Sequence, residues 1–229
     1  MRLVRAEGLQ SGAKVPSERA LALQLGISRM TVRQGIGNLV RAGVLERDST
    51  NGTRVANVSV TRVIDSRRAF SMSQMVRSSG ARPGSQLLIF ALDPAHRTVA
   101  AQLRIEPGAP VITIRRLRTA DGSPICIETS RLPQALVPGL MAEDLAQNAS
   151  LYELLKDRYG LHPADRDSEI SVGPVSDEDA ALLGVAAGIN VLLYNSVVRT
   201  ADGVPVESVA SINHPQRVVF STDAARIIP

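Results

Sequence analysis

Apolar residues recur at helical spacing in two short stretches near the start of the chain. In order, they are Leu21, Leu23 and Leu25, and then Val32, Ile36, Leu39 and Val40. Ser17 can cap the first helix and Ser28 the second, while Gly26 suits the left-handed position that ends a helix. Two helices joined by a short glycine turn predict a helix-turn-helix.

A hairpin pattern follows the second helix. Residues 44–47 read Val-Leu-Glu-Arg, residues 53–55 read Thr-Arg-Val, and Asn51-Gly52 lies in the turn between them. Asn-Gly is a strong signal for the tip of a β-hairpin. The pattern therefore predicts a winged helix-turn-helix within residues 15–55.

The polar side of the second helix has the chemistry of a DNA-reading surface. Arg29 and Arg33 are one turn apart, Thr31 lies nearby, and Ser28 stands at the helix N-terminus. The N-terminal residues of a recognition helix reach base edges in the major groove, and Arg is well shaped for guanine. A lone arginine on a helix is more often a solvated charge. Here the caps, the turn, the polar face and the hairpin occur in order, which favours DNA binding.

Charge is concentrated where this surface is predicted. The 229 residues carry a net charge of +4, and residues 1–55 hold nine Lys and Arg against four Asp and Glu, a local surplus of five. Neutralising DNA phosphates needs such a surplus. Hydrophobic residues make up 44% of the chain and aromatic residues only 3%, so the cores must be aliphatic. The length suits one small domain and one of about 150 residues.

The single cysteine and the lack of long apolar runs narrow the class of protein. Cys126 alone cannot form an internal disulfide or a cysteine-rich zinc site, and its apolar surroundings predict a buried structural thiol. We expect no metal and no cofactor. The sequence shows no signal peptide and no apolar run of 18 residues, which predicts a cytoplasmic protein.

An internal repeat organises the second half of the chain. Leu103–Val111 aligns with Leu183–Val191, and Arg118–Ile125 aligns with Arg199–Val206. Each copy reads as a turn, a strand, an Ala-Asp-Gly loop and a returning strand. Two such hairpins with helices between them predict an α+β domain with an antiparallel sheet and approximate twofold symmetry.

The first strand of the repeat predicts one wall of a pocket. One face of this strand carries, in order, Ile112, Ile114, Arg116 and Arg118. A three-residue Ala-Asp-Gly loop would place Glu128 on this face, whereas a two-residue Asp-Gly turn would place it on the other. Gly122 and Gly203 suit the longer loop. We therefore expect Glu128 on the face of the two arginines and, in the second copy, Glu207 on the face of Arg199.

A further helix between the two copies begins at Ser150. Ser150 and Glu153 match a capping box, which satisfies two backbone N–H groups. The alternative is an anion site, because helix N–H groups and the Ser150 hydroxyl can face a phosphate or a carboxylate. Both interpretations stay open from the residues alone.

The first 55 residues resemble the winged-helix domain of GntR-type bacterial repressors. The motifs that carry the resemblance are residues 16–19 (PSER), residues 28–33 (SRMTVR) and residues 51–53 (NGT). The resemblance implies arginine contacts to DNA, supporting hydroxyl contacts, and a wing tip in the adjacent minor groove. The DNA-binding residues it implies are Ser17, Arg19, Ser28, Arg29, Thr31, Arg33, Asn51 and Gly52.

Most of the remaining chain resembles the UTRA effector domain of HutC-type GntR regulators, a domain similar in fold to chorismate lyase. The matching motifs run from Arg116 to Glu128, from Ser150 through Leu-Tyr-Glu-Leu-Leu, and from Gly203 to Glu207. The effector-pocket residues that the resemblance implies are Arg116, Arg118, Glu128, Ser150, Glu207 and Asn213. Members that bind amino-sugar phosphates have an aromatic residue at about Asn213. A carboxylate, a phosphonate or a histidine-pathway metabolite therefore stays open beside a sugar phosphate.

The resemblance divides the chain into a winged helix-turn-helix domain at 1–57, a linker at 58–69 and a UTRA domain at 70–229. The expected protein is a homodimeric transcriptional repressor that binds a DNA operator and is released by a small anionic effector. One alternative is a chorismate-lyase-like enzyme, and another is a dimerising regulator with a degenerate pocket. The three histidines are scattered and no nucleophile–base pair is evident, so we expect no catalytic residues.

Overall fold

The chain forms two structural units, residues 1–58 and residues 59–229. The computed structural model describes residues 12–41, 45–48, 52–55, 59–64, 69–146 and 148–222. The predicted wing-tip residue Asn51 lies outside the described residues. Within those ranges no helix is both long enough and apolar enough to cross a membrane.

The first helix of the N-terminal unit, α1, spans Glu18–Leu25. It begins where predicted, because the Ser17 hydroxyl accepts a hydrogen bond from the backbone N–H of Ala20 at 3.2 Å. It ends at Gly26, which has a φ of 65°. Of its three leucines only Leu21 is buried; the other two, at positions 23 and 25, are exposed.

The second helix, α2, spans Arg29–Arg41 and begins after the predicted cap. The Ser28 hydroxyl accepts a hydrogen bond from the backbone N–H of Thr31 at 3.1 Å. Strands β1 (Leu45–Asp48) and β2 (Gly52–Val55) then pair antiparallel, which gives the two strands of the predicted wing. The small aliphatic core of this unit contains Val15, Leu21, Val32, Ile36, Leu45 and Val55.

The larger unit is built on six long strands and four short helices. In chain order they are α3 (Met72–Ser78), β4 (Pro83–Pro94), α4 (Arg97–Leu103), β5 (Pro110–Ala120), β6 (Ser123–Pro133), α5 (Leu151–Tyr159), β7 (Asp165–Pro174), α6 (Asp177–Leu183), β8 (Asn190–Arg199) and β9 (Pro205–Asn213). Two 3-10 turns, Gln134–Leu136 and Ala142–Leu145, follow β6. The strands form one antiparallel sheet in the order β4-β5-β6-β9-β8-β7.

This strand order confirms the predicted twofold arrangement. One repeat supplies β4, α4, β5 and β6, the other supplies β7, α6, β8 and β9, and the two meet where β6 pairs with β9. Each helix packs under the other repeat, since α4 contacts β9 and α6 contacts β6. Even the helix ends correspond: Arg104 takes the left-handed conformation (φ 54°) at the position of Gly184 (φ 70°).

The predicted loop is wrong for the first hairpin, although its consequence holds. Ala120 lies opposite Ser123, so the turn contains only two residues. The pairing then shifts by one residue beside Arg118, which leaves Ile125 as a bulge on β6. Because of this bulge, Arg116 lies directly opposite Glu128, on the same face of the sheet.

In the second hairpin the predicted loop is correct, but the side-chain arrangement expected from it is not. Its loop has three residues as predicted, because Thr200 donates its N–H to the Val204 carbonyl at 3.0 Å and accepts from Gly203 at 2.9 Å. A later shift in pairing then places Glu207 opposite Val198. The prediction that Glu207 shares a face with Arg199 is therefore wrong.

Part of the predicted linker is a strand of the larger unit. Residues Val60–Val63 form β3, which pairs in parallel with β10 (Val218–Ser221) near the other end of the chain. Three of the four β3 residues, including Arg62, are buried. Residues 60–63, which follow the N-terminal unit in sequence, are thus held against residues 218–221.

Candidate functional sites

The N-terminal unit exposes the polar surface predicted to contact DNA. The exposed members are Ser17, Arg19, Ser28, Arg29, Thr31, Arg33 and Gly52. The hydroxyls of Ser28 and Thr31 lie 2.9 Å apart, and Ser28 also caps α2. These hydroxyls therefore define the helix N-terminus and stay accessible beside the arginines.

Arg33 is held by a carboxylate from α1. Its Nε lies 3.2 and 3.1 Å from the two carboxylate oxygens of Glu18, and its Nη2 forms an ion pair with Glu18 at 3.0 Å. This hydrogen bond, with smaller effects from the charges of Arg33, Arg29 and Arg47, lowers the pKa of Glu18. Arg47 on β1 thus belongs to the same cationic surface, although the sequence patterns assigned it no role.

A polar pocket lies on one face of the larger unit's sheet. Its cavity volume is about 20 Å³, room for about one water. Its polar lining residues are Arg62, Ser71, Ser73, Arg116, Arg118, Glu128, Ser150, Tyr152, Tyr194, Ser196 and Glu207. Five of the six predicted effector residues are therefore brought together here.

Arg116 and Arg118 are almost completely buried at the β5 side of the pocket. The Arg118 Nη2 donates to the Ser73 hydroxyl at 2.9 Å, and the Arg116 Nη1 donates to the Ala149 carbonyl at 3.4 Å. Burial, and then the charge of Arg118, lower the pKa of Arg116 to about 10, so it stays charged at neutral pH. Two buried guanidinium groups side by side favour an anionic ligand.

Ser150 begins α5 at the same end of the pocket. Its hydroxyl accepts a hydrogen bond from the Glu153 backbone N–H at 3.4 Å, which is one half of the predicted capping box. The Glu153 carboxylate instead lies 3.3 Å from Arg77 on α3. Ser150 is thus both a cap and a pocket residue, and the two interpretations of it are compatible.

Glu207 is buried deeper in the pocket. Its Oε2 accepts a hydrogen bond from the Tyr152 hydroxyl at 3.0 Å. Burial, and then the nearby charge of Glu128, raise the pKa of Glu207 to about 7. Near neutral pH, Glu207 is therefore ionised in part of the molecules and protonated in the rest. The ionised carboxylate only accepts hydrogen bonds, whereas the protonated carboxyl group can also donate one.

Arg62, from β3, is a pocket residue that the sequence patterns missed. Its Nη1 donates to Ser211 at 2.8 Å and to the Asn213 side-chain oxygen at 3.2 Å, and its guanidinium carbon lies 3.9 Å above the Tyr194 ring. Asn213 itself does not line the pocket; it is fully buried and holds Arg62. No local pattern could have placed Arg62 here, because its partners lie about 150 residues away.

Cys126 is fully buried, as predicted, and burial raises the pKa of its thiol to about 12. In the described ranges, no group of three or more His, Cys, Asp or Glu side chains is placed to hold a metal ion.

A winged helix-turn-helix unit joined to a sheet unit with a polar pocket defines a DNA-binding transcriptional regulator that has a separate ligand-binding domain. Comparison with known proteins agrees. Residues 2–55 match the model described as bacterial regulatory proteins, gntR family, and residues 78–218 match the UTRA domain. The chain belongs to the GntR family, in the HutC-type group that carries a UTRA domain.

Several regulators of this kind are similar over nearly the whole chain. The transcriptional repressor NagR of Bacillus subtilis is 33% identical over 213 residues, which cover 93% of this chain and 86% of that protein. The repressor PhnF of Mycolicibacterium smegmatis is 30% identical over 96% of this chain and 90% of its own length. The crystal structure of PhnF superposes with a TM-score of 0.71 at 29% identity, covering 96% of both chains. The protein is therefore a transcriptional regulator rather than an enzyme.

Proposed function

We propose that the protein is a homodimeric repressor that leaves its operator when a small anionic metabolite binds in the pocket of the larger unit. The observation that carries this proposal is the pair of buried arginines, Arg116 and Arg118, beside the hydroxyls of Ser73 and Ser150. Guanidinium groups and hydroxyls are the partners that phosphates, phosphonates and carboxylates prefer. NagR and PhnF, both named repressors, support the direction of regulation.

The pocket must open or rearrange to admit such a ligand. Its interior has room for about one water, so an effector must displace lining side chains or separate the elements that bear them. One of these elements is β3, which begins two residues after the boundary of the N-terminal unit. Ligand binding that changes β3 would act directly on the segment that leads to the DNA-binding unit.

A thermal-shift screen of sugar phosphates, carboxylates and phosphonates tests the effector class. We expect at least one hit that raises Tm and also releases operator DNA. Arg118→Met should abolish both effects, whereas Arg199→Met, which changes a partly buried arginine outside the pocket, should leave them intact. Binding without DNA release would contradict the induction model, and a screen without hits would favour a regulator with a degenerate pocket. Release that survives Arg118→Met would refute the assigned site.

The N-terminal surface would contact DNA through Arg19, Arg29 and Arg33, with Ser17, Ser28 and Thr31 in support and the wing tip at Asn51 and Gly52. An operator can be selected from a pool of random duplex DNA. Arg29→Ala should weaken operator binding and relax base preference, and Arg19→Ala should lower the salt slope by about one. Arg82→Ala, a 93% exposed arginine of the larger unit, serves as the control and should change neither.

The homodimer is part of the proposal because one winged helix makes few base contacts. A dimer predicts a selected site with two related half-sites and a sedimentation mass twice that of the chain. A monomer at the concentrations that give full operator occupancy would contradict it. Action on chromosomal DNA also places the protein in the cytoplasm under this proposal.

A further inference from the structure

Arg62 gives the pocket a second cationic end. One row of facing residues crosses four strands of the sheet, from Arg116 on β5 to Glu128 on β6, Ser211 on β9 and Tyr194 on β8. Arg62 lies over the far part of this row, bonded to Ser211 and stacked on Tyr194. Since β5 and β9 are two strands apart, the two cationic ends are anchored roughly 10 Å from each other.

Glu128 lies between the two ends and forms only long ion pairs with Arg62 and Arg116. Its Oε1 lies 3.7 Å from the Arg116 Nη2, and its Oε2 lies 3.7 Å from the Arg62 Nη2. Both distances exceed those of charge-assisted hydrogen bonds, about 2.7–2.9 Å. Because one carboxylate reaches both guanidinium groups, the two groups lie within the span of a small molecule.

The Arg62 guanidinium also keeps one edge for another partner. Its Nη1 is occupied by Ser211 and Asn213, but its Nε is buried without a hydrogen-bond acceptor. Among the residues that the structure describes, the edge formed by Nε and Nη2 therefore has only the 3.7 Å contact to Glu128. This edge of a guanidinium group binds carboxylates through two parallel hydrogen bonds. The hydroxyl of Ser196, which also lines the pocket, is likewise buried and unpartnered.

The charge balance of the pocket favours an anionic ligand. Among the described residues that line the pocket, three buried arginines face two carboxyl groups, and one of these, Glu207, has a pKa of about 7. A surplus of buried positive charge is costly unless a ligand compensates it. The arginines are also divided between two ends, and the Glu128 carboxylate between them lies 3.7 Å from both Arg62 and Arg116, so a ligand with an acidic group at each end could approach both more closely.

We propose that Arg62 is a specificity-determining residue that recognises a carboxylate at the end of the effector opposite to the anionic group held by Arg116 and Arg118. This inference rests on the proposed function and narrows the effector to a molecule with acidic groups at both ends. It also makes β3, through Arg62, a direct contact of the effector.

Two probes that differ at one end test the inference on the full chain. 3-Phosphoglycerate carries a phosphate and a carboxylate, whereas glycerol 3-phosphate carries the phosphate and a neutral alcohol. By isothermal titration at pH 7 and fixed ionic strength, we expect the first to bind about 10- to 100-fold more tightly, the range of one charge-assisted contact. In Arg62→Met the ratio should fall to about one, with the affinity for glycerol 3-phosphate nearly unchanged.

Further variants separate recognition from folding. Arg199→Met should keep the wild-type ratio, because Arg199 pairs with Asp167 outside the pocket. Arg62→Lys retains the charge without the two-donor edge and should give an intermediate ratio, which carries the test if Arg62→Met does not fold.

The inference is overturned if neither probe binds the wild-type chain, if the wild-type ratio is near one, if it survives in both Arg62 variants, or if both probes weaken equally in them. Glycerol 3-phosphate binding that is lost in Arg118→Met would still support the proposed function in the last three cases. The broader metabolite screen decides that function independently.

Discussion

Replacing Glu207 by glutamine should change how the stability of the larger unit depends on pH. Glu207 is almost fully buried, and burial followed by the charge of Glu128 raises its pKa from an ordinary 4.5 to about 7. A carboxyl group whose pKa is raised by folding stabilises the folded state most below its unfolded pKa. That contribution is lost as pH rises through the folded pKa. Wild-type stability relative to Glu207→Gln should therefore fall between about pH 4.5 and pH 7.

The magnitude follows from the two pKa values. The difference between 4.5 and about 7, at about 1.36 kcal/mol for each tenfold change in proton affinity, corresponds to roughly 3 kcal/mol. About 2–3 kcal/mol of this change falls between pH 5 and pH 8.5. For a unit of this size it amounts to roughly 4–12 °C in Tm. The glutamine side chain in the variant would keep an acceptor for the Tyr152 hydroxyl, so the packing should change little.

The assay is thermal unfolding followed by far-ultraviolet circular dichroism at several pH values. Both proteins share all other titrating groups, so the contributions of those groups cancel when the two Tm values are subtracted. The Tm of Glu207→Gln minus that of the wild type should increase as pH rises. Glu153→Gln is the control, because it changes an exposed carboxylate on α5, the helix that also carries Tyr152. It should give no such trend. A difference that stays constant from pH 5 to pH 8.5, or that grows in the opposite direction, would refute the reasoning.

Three further predictions concern other parts of the chain. Gly35 lies inside α2, and a Cβ added there would meet no atom within 4 Å, so Gly35→Ala should stabilise this helix by about 1 kcal/mol, seen as slower hydrogen exchange. A Cβ at Gly84 would come closer than 3.0 Å to the Thr119 hydroxyl, so Gly84→Ala should lower the free energy of unfolding in urea by about 1–3 kcal/mol. Glu18→Gln removes the negative charge that pairs with Arg33 and should raise DNA affinity at low salt a few-fold, as measured by fluorescence anisotropy. Unchanged exchange, an unchanged urea midpoint or a loss of DNA affinity would contradict these expectations in turn.

Local signals predicted the helices of the N-terminal unit well. Ser17 and Ser28 accept the expected backbone hydrogen bonds, and Gly26 takes the left-handed conformation. These features depend on residues at most four positions apart. The burial of the α1 leucines was less predictable, because it depends on the packing of the unit as a whole: Leu21 is buried, but Leu23 is 87% exposed.

The faces of the hairpin strands show where local reasoning fails. In the first hairpin a shorter turn than expected is offset by a bulge at Ile125, so Glu128 still faces Arg116. In the second, the expected loop is followed by a bulge that turns Glu207 away from Arg199. A bulge reverses the alternation of side chains, and its position is set by pairing with the whole sheet rather than by the turn.

Arg62 and Asn213 are best understood as one feature of the pocket. The resemblance to amino-sugar-phosphate-binding regulators predicts an aromatic residue at about position 213, and here a buried asparagine takes that place. Its side-chain oxygen accepts from Arg62, while its amide nitrogen donates to the Leu192 carbonyl at 3.0 Å and so fixes the orientation of the amide. An aromatic ring has no such acceptor. Asn213 thus holds the buried guanidinium on β3, and the proposal that Arg62 binds an acidic group at this end of the effector depends on that support.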